Sequence, residues 1–192
     1  MSEVNVVGLM LAAGRSRRFG ADKRQIELAP GASLLVTSLD VARACLAELW
    51  LVLRLDDKPQ ALGVPAGVEV VFSAGAEQGM GHSLADGMVA LSAQSSADAV
   101  AILLGDMPWI APATFGQLLS QASADHIVVP TCDGEPGHPV IFGRRFWPEL
   151  LRVGGDSGAK SVLLANPAAV RRVAVADSGI LRDVDTPAAL LG

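Results

Sequence analysis

Cysteine, histidine and lysine are scarce in this chain: it has two, three and three of them among 192 residues. Cys45 and Cys132 stand far apart in apolar surroundings with no CxxC, which excludes a disulfide scaffold and reads as reduced, buried thiols in a reducing compartment. His82, His126 and His138 show no zinc-ligand spacing, and no Gly-x-Ser-x-Gly nucleophile elbow occurs. Asp, Arg or Lys interrupts every apolar stretch short of the ~18 residues a membrane span requires. The start, MSEVNVVGLML, lacks the basic region of a secretory signal, so the cytoplasm is the expected compartment. A basic excess is missing as well. Net charge is −5 and the pI about 5.1, which argues against nucleic acid and against an anionic membrane surface as partners.

What is present is apolar and small. Hydrophobic residues make up 51%, and a single domain over residues 1–192 can bury roughly 70% of its unfolded surface. Strands are expected at Val4 to Leu11, Leu49 to Leu53, Val68 to Phe72, Val100 to Leu104, Ile127 to Val129, Val140 to Phe142 and Val170 to Val175. Helices are expected at Leu34 to Leu46, Gly79 to Leu91, Pro112 to Gln121, Phe146 to Leu151 and Ser157 to Ala165, and residues 131–139 read as a polar Gly/Pro loop. This alternation implies an α/β fold with a mainly parallel sheet flanked by helices. Ligands of such sheets bind beyond the carboxyl ends of the strands, which selects two segments.

The first runs from Leu11 through Ala12, Ala13, Gly14, Arg15, Ser16, Arg17, Arg18, Phe19, Gly20, Ala21 and Asp22 to Lys23. Its small residues let the backbone approach a ligand, and successive N–H groups of such a turn make an anion-binding concavity. Five of the 15 cationic side chains lie between Arg15 and Arg24. A compact cationic loop on an acidic protein suggests a small polyanion; a solvated charge run is the alternative. The spacing of Gly14, Gly20 and Lys23 does not fit a Walker A loop, and Gly79-Met80-Gly81 has Leu84 where a dinucleotide fingerprint needs glycine. Lys23, in a chain that prefers arginine, suggests a requirement for a compact ammonium.

The second segment is Ile102-Leu103-Leu104-Gly105-Asp106-Met107-Pro108. A carboxylate directly after a buried strand can hold Mg²⁺ against substrate phosphates; capping of the helix near Pro112 is the competing role. Asp183 and Asp185, two apart, would point the same way if extended, although Asp185 or Thr186 could equally cap a helix. His126 reads as structural. His138 suits an acceptor contact or a turn, and His82 a helix turn or a nucleotide contact. Trp50, Trp109 and Trp147 read as core or pocket wall.

LAAGRSRRFGADK, LLGDMP, GHPVIF, GDSGAKSVL and DVDTPAAL, in this order, resemble the MobA-like nucleotidyltransferases, and within them the molybdenum cofactor cytidylyltransferase group. The resemblance spans essentially the whole chain. It implies a Rossmann-like three-layer sandwich and Mg²⁺-dependent transfer of CMP from CTP to the phosphate of molybdopterin or its molybdenum-loaded form, with Mn²⁺ as a substitute metal and pyrophosphate as the leaving group. Matched position by position, Leu11, Ala12, Ala13, Gly14, Arg15, Ser16 and Arg18 would cradle the triphosphate and Lys23 would neutralise it. Gly79, Ser83 and Leu84 would touch base and ribose, and Asp106 and Asp185 would hold the metal, with Asp183 nearby. Gly137, His138, Pro139, Asp156 and Lys160 would face the pterin acceptor, and a recipient molybdoenzyme or its chaperone would be a partner. Ala13 and the two late aspartates favour CTP over GTP. A GTP-using or sugar-phosphate transferase of the same fold and a non-catalytic cofactor-delivery module remain the alternatives.

Overall fold

The computed structural model describes residues 4–15 and 21–184. In chain order the elements are β1 (Val6–Leu11), β2 (Glu27–Ala29), β3 (Ala32–Ser33), α1 (Leu34–Cys45), β4 (Leu49–Arg54), β5 (Glu69–Ser73), α2 (Met80–Gln94) and β6 (Ala99–Leu104). There follow α3 (Pro112–Leu119), β7 (Ile127–Cys132), β8 (Glu135–Pro136), β9 (Val140–Gly143), α4 (Trp147–Leu150), α5 (Lys160–Ala165) and β10 (Val170–Ala174). The main sheet has the order β10-β7-β9-β6-β1-β4-β5, with β8 paired to β7. β9 runs antiparallel to both neighbours; the β5–β4–β1–β6 half and the β7–β10 pair are parallel. This is the mainly parallel, helix-covered α/β sheet that the alternation implies.

β1 shows how residue order divides the core. Side chains alternate across a strand; Val6, Met10 and Ala12 join a cluster with α1 and α3, while Val7, Leu9, Leu11 and Ala13 join one with α2 and α4. Both faces are covered, so β1 is apolar at every position and buried throughout. Gly87 of α2 lies where a Cβ would come 2.6 Å from the Val52 side chain, so glycine there lets the helix lie close on the sheet.

Two features depart from the sequence reading. β2 and β3 form a small antiparallel hairpin between the first loop and α1, and neither was expected. Residues 131–139 are not simply a loop: β7 continues through Pro130 to Cys132 and turns back through Asp133 and Gly134 into β8. Both turn residues have positive φ (51° and 86°), the conformation of the two-residue turn that Asp-Gly favours. Pro130 is tolerated because β9 pairs with β7 only at Ile127 and Val128, so no β9 ladder bond is lost there. No helix among the described residues is long and apolar enough to cross a membrane.

Candidate nucleotide site

Beyond β1 the chain stays locked to both neighbouring strands for one more residue. Gly105 N–H donates to the Leu11 carbonyl at 3.0 Å, and Ala12 N–H donates to Val52 at 3.0 Å. The segment that follows bounds a cleft of about 640 Å³ lined by Leu11, Ala12, Ala13, Gly14, Arg15 and Lys23 on one side. A Cβ built on Gly14 would meet no protein atom within 4 Å, so its backbone faces open space and a ligand can approach it closely. Of the first segment, residues 11–15 and Lys23 line this cleft. Ser16 and Arg18 lie outside the described residues.

Across the cleft stand Gly105 and Asp106, with Asp183 beside them. Val184 N–H donates to the Asp106 carbonyl at 3.0 Å, which ties the two acidic segments together. Asp106 does not cap α3, whose first turn has no side-chain cap; Asp177 fastens its start instead, accepting from Ala111 N–H at 2.9 Å and Thr114 Oγ1 at 2.6 Å. Lys23 Nζ lies 2.7 Å from Asp106 Oδ2. Asp106 Oδ1 is buried with no hydrogen-bond partner, an arrangement that costs free energy unless something positive reaches it. Among the described residues no three acidic, His or Cys groups form a cage that could hold a metal ion. Mg²⁺ needs none: it is commonly held by one or two carboxylates plus substrate phosphates. The orphaned Oδ1, with Asp183 on the same cleft, fits that donor set. Asp185 lies outside the described residues.

The opposite rim is built by the start of α2, where Gln78, Gly79, Met80 and Ser83 line the cleft. Gly79 has φ +117°, and a Cβ there would sit 2.5 Å from the Gly155 carbonyl oxygen; at Gly81 it would sit 2.6 Å from that of Gly154. These glycines serve close packing of α2 on the 154–156 loop. His82 joins the same contact, its Nδ1 accepting from Gly155 N–H at 3.2 Å, so it is a helix residue that fastens a loop. Asp86 holds the preceding turn, accepting from Ser73 Oγ at 2.6 Å and Gly75 N–H at 3.1 Å. Arg15 and Glu77 form an ion pair across the cleft mouth.

A second, mostly apolar pocket of about 720 Å³ adjoins the first and shares Leu11, Met80 and Leu104 with it. Gly137, His138 and Lys160, three of the residues expected at the acceptor, line it together. Three other residues stand apart from the residues they were grouped with. Leu84, expected at the base and ribose, is fully buried one turn along α2 and turned into this second pocket. Asp156, expected at the acceptor, lines the first cleft, because the 154–156 loop is drawn onto the α2 glycines. Pro139 is buried behind His138 and lines neither space.

The His138 imidazole is held below its ordinary pKa by burial, which outweighs a backbone hydrogen bond to Ile102 and the charges of Asp106 and Asp183. Its Nδ1 is buried without a partner. His126 is structural, its Nδ1 2.7 Å from Ser123 Oγ. Trp50 and Trp147 are core residues, Trp109 stacks under Arg182 at 4.3 Å, and none of the three lines either pocket. Both cysteines are free thiols; Cys132 is buried, and burial pushes the Cys45 thiol up.

Comparison with known proteins gives the family and its fold. The family model for the MobA-like NTP transferase domain matches residues 8–171. The purine catabolism protein PucB of Bacillus subtilis is 29% identical over 95% of this chain and 92% of its own length. The crystal structure of Rv0371c from Mycobacterium tuberculosis superposes with a TM-score of 0.82 at 31% identity, covering 98% of this chain and 96% of that one. A second structure of Rv0371c, in complex with manganese, superposes with a TM-score of 0.76 at 29% identity over 91% of this chain and 89% of that one.

Proposed function

Because the chain belongs to the MobA-like NTP transferase family, we propose that it transfers CMP from CTP to the phosphate of a pterin acceptor, molybdopterin or its molybdenum-loaded form. The observation that carries this reading is the pair of adjoining spaces at the sheet's carboxyl edge. One is lined by the small-residue loop, Lys23 and Asp106, and the other by His138 and Lys160. Arg15, Lys23 and the backbone of Ala13 and Gly14 bind the triphosphate, and Gly79 and Ser83 lie against the nucleoside. Asp106 and Asp183, with Asp185, would hold a divalent cation, which when bound neutralises the phosphates and polarises the α-phosphorus. An oxygen of the acceptor phosphate attacks the α-phosphorus, a new P–O bond forms, and the α–β anhydride bond breaks with its electron pair leaving on pyrophosphate. The nucleophile is already ionised near neutral pH, so no general base is needed, and the work of the chain is positioning and charge neutralisation. The manganese in the Rv0371c structure supports a divalent metal in this family.

Pyrophosphate release from CTP and from GTP, with and without molybdopterin, tests the reading. Release that depends on both CTP and molybdopterin is expected. Faster release with GTP would instead favour a guanylyl transferase, and binding of CTP without release would favour a delivery module.

A further inference from the structure

Lys23 and Arg24 are neighbours in sequence with opposite surroundings. Both line the cleft, but Lys23 meets Asp106 across it, whereas Arg24 is 4% exposed and held on the Ala12 carbonyl. Its Nη1 donates to the Ala12 carbonyl at 2.9 Å and to Asp57 Oδ2 at 2.6 Å. Its Nη2 reaches Asp57 Oδ1 at 2.7 Å and Asp22 Oδ2 at 2.6 Å, and its Nε reaches Asp22 Oδ1 at 2.8 Å. Arg54, at the end of β4, closes the network: its Nη2 lies 3.0 Å from both Asp22 Oδ2 and Asp57 Oδ1, and its N–H donates to Asp57 Oδ2 at 2.9 Å. Two arginines and two aspartates balance in charge at the root of the loop.

We propose that Arg24, held by Asp57 and Asp22, is a positioning residue for nucleotidyl transfer. It draws the Ala12 carbonyl down beneath the loop so that the Ala13–Gly14 backbone faces the cleft, and it fixes the short turn that presents Lys23 to Asp106. This rests on the reading of the cleft as a triphosphate site. Only a planar guanidinium can serve all these acceptors at once. A lysine keeps the charge but has a single nitrogen, which cannot bind two carboxylates bidentately and a carbonyl together. Since a small misplacement of a charged group suffices to cost a hundredfold in rate, the network acts on catalysis through the groups it holds in place.

The test compares wild type with Arg24→Lys, Asp57→Asn, Lys23→Ala and the Arg24→Lys/Lys23→Ala double variant. CTP·Mg and CMP affinities are measured by calorimetry, and kcat and KM by pyrophosphate release. The expected result is a loss of at least tenfold in CTP affinity for Arg24→Lys with less than threefold for CMP. Asp57→Asn should follow in the same direction, and the double variant should fall well short of the product of the two single losses. Equal losses for CTP and CMP, or losses that multiply, would overturn the assignment. Asp57→Asn keeps the question open to measurement should Arg24→Lys fail to fold. The two failures are separable: wild type that binds none of the four ribonucleoside triphosphates refutes the site, whereas wild-type binding unchanged in Arg24→Lys and Asp57→Asn refutes only the positioning role.

Discussion

Lys23 Nζ stands 2.7 Å from Asp106 Oδ2 across the cleft, although 83 positions separate the two residues, while the other oxygen of that carboxylate is buried without a partner. A cation and an anion face each other at the carboxyl edge of β1 and β6; in the proposed reaction the ammonium would take phosphate and the carboxylate metal. The pair is mostly shielded, with only 14% and 20% of the two side chains exposed, so its Coulombic gain is offset by the cost of taking both charges out of water.

Asp106→Asn follows from this arrangement. The amide keeps the shape and removes the charge, so turnover should be abolished while the melting temperature stays near or above that of wild type, because losing the ion pair also removes the cost of holding a carboxylate out of water. Pyrophosphate release and thermal denaturation on the same preparation check it. Activity within tenfold of wild type would remove Asp106 from the metal site.

Glu77→Gln tests the contact over the cleft. Arg15 must exchange Glu77 for phosphate when the nucleotide binds, and an exposed pair of this kind is worth up to about 1 kcal/mol. Removing the competitor should therefore tighten CTP binding about two- to fivefold at low salt, and the gain should shrink as salt screens it. Calorimetry at two ionic strengths reads both effects. An unchanged or weaker affinity would mean that Arg15 does not reach the phosphates.

Ala13→Gly concerns base choice. Ala13 lines the cleft but is also 3% exposed within the cluster on the α2 side of the sheet, so its methyl serves the core as well as the wall. Wild type should prefer CTP to GTP by at least tenfold in kcat/KM. The glycine variant should narrow that ratio by admitting GTP, without reversing it, and should lose about 1 kcal/mol of stability. Competition assays with both nucleotides decide it.

His138 gives the protein a pH dependence of defined sign. Its folded pKa is depressed mainly by burial, so the unfolded chain binds the proton more readily and stability is lost as pH falls below the ordinary imidazole value of about 6.5. Above that value the residue contributes no slope. His138→Gln should flatten the fall in melting temperature as the pH drops below about 6.5, and an unaltered slope would place the titration elsewhere.

Much of the fold and part of the site were legible in residue order. β1 and β6 are short apolar runs that end in small residues and in Gly-Asp, and both lead to the cleft. The Gly137–His138 and Lys160 segments also fall on the second pocket. What was not legible depends on distant partners. Arg24 counted as one more cation in a basic loop, because Asp57, which pairs with it, lies 33 positions away in the turn after β4. Asp177 is likewise 63 positions from the Thr114 hydroxyl it holds. The Asp133-Gly134 turn carried a local signal that the surrounding glycines and prolines obscured. Asp156 changed sides because a loop packs onto glycines of α2, a relation that no local spacing reports.

The central claim, transfer of a nucleoside monophosphate to a pterin phosphate, is tested most directly by following two radiolabels. The protein is incubated with molybdopterin, Mg²⁺ and CTP labelled at either the α- or the γ-phosphate. The account predicts that the α-label moves into a pterin-containing product while the γ-label appears in pyrophosphate, in equal amounts. Appearance of the α-label in free CMP or CDP, with none in the pterin, would contradict it.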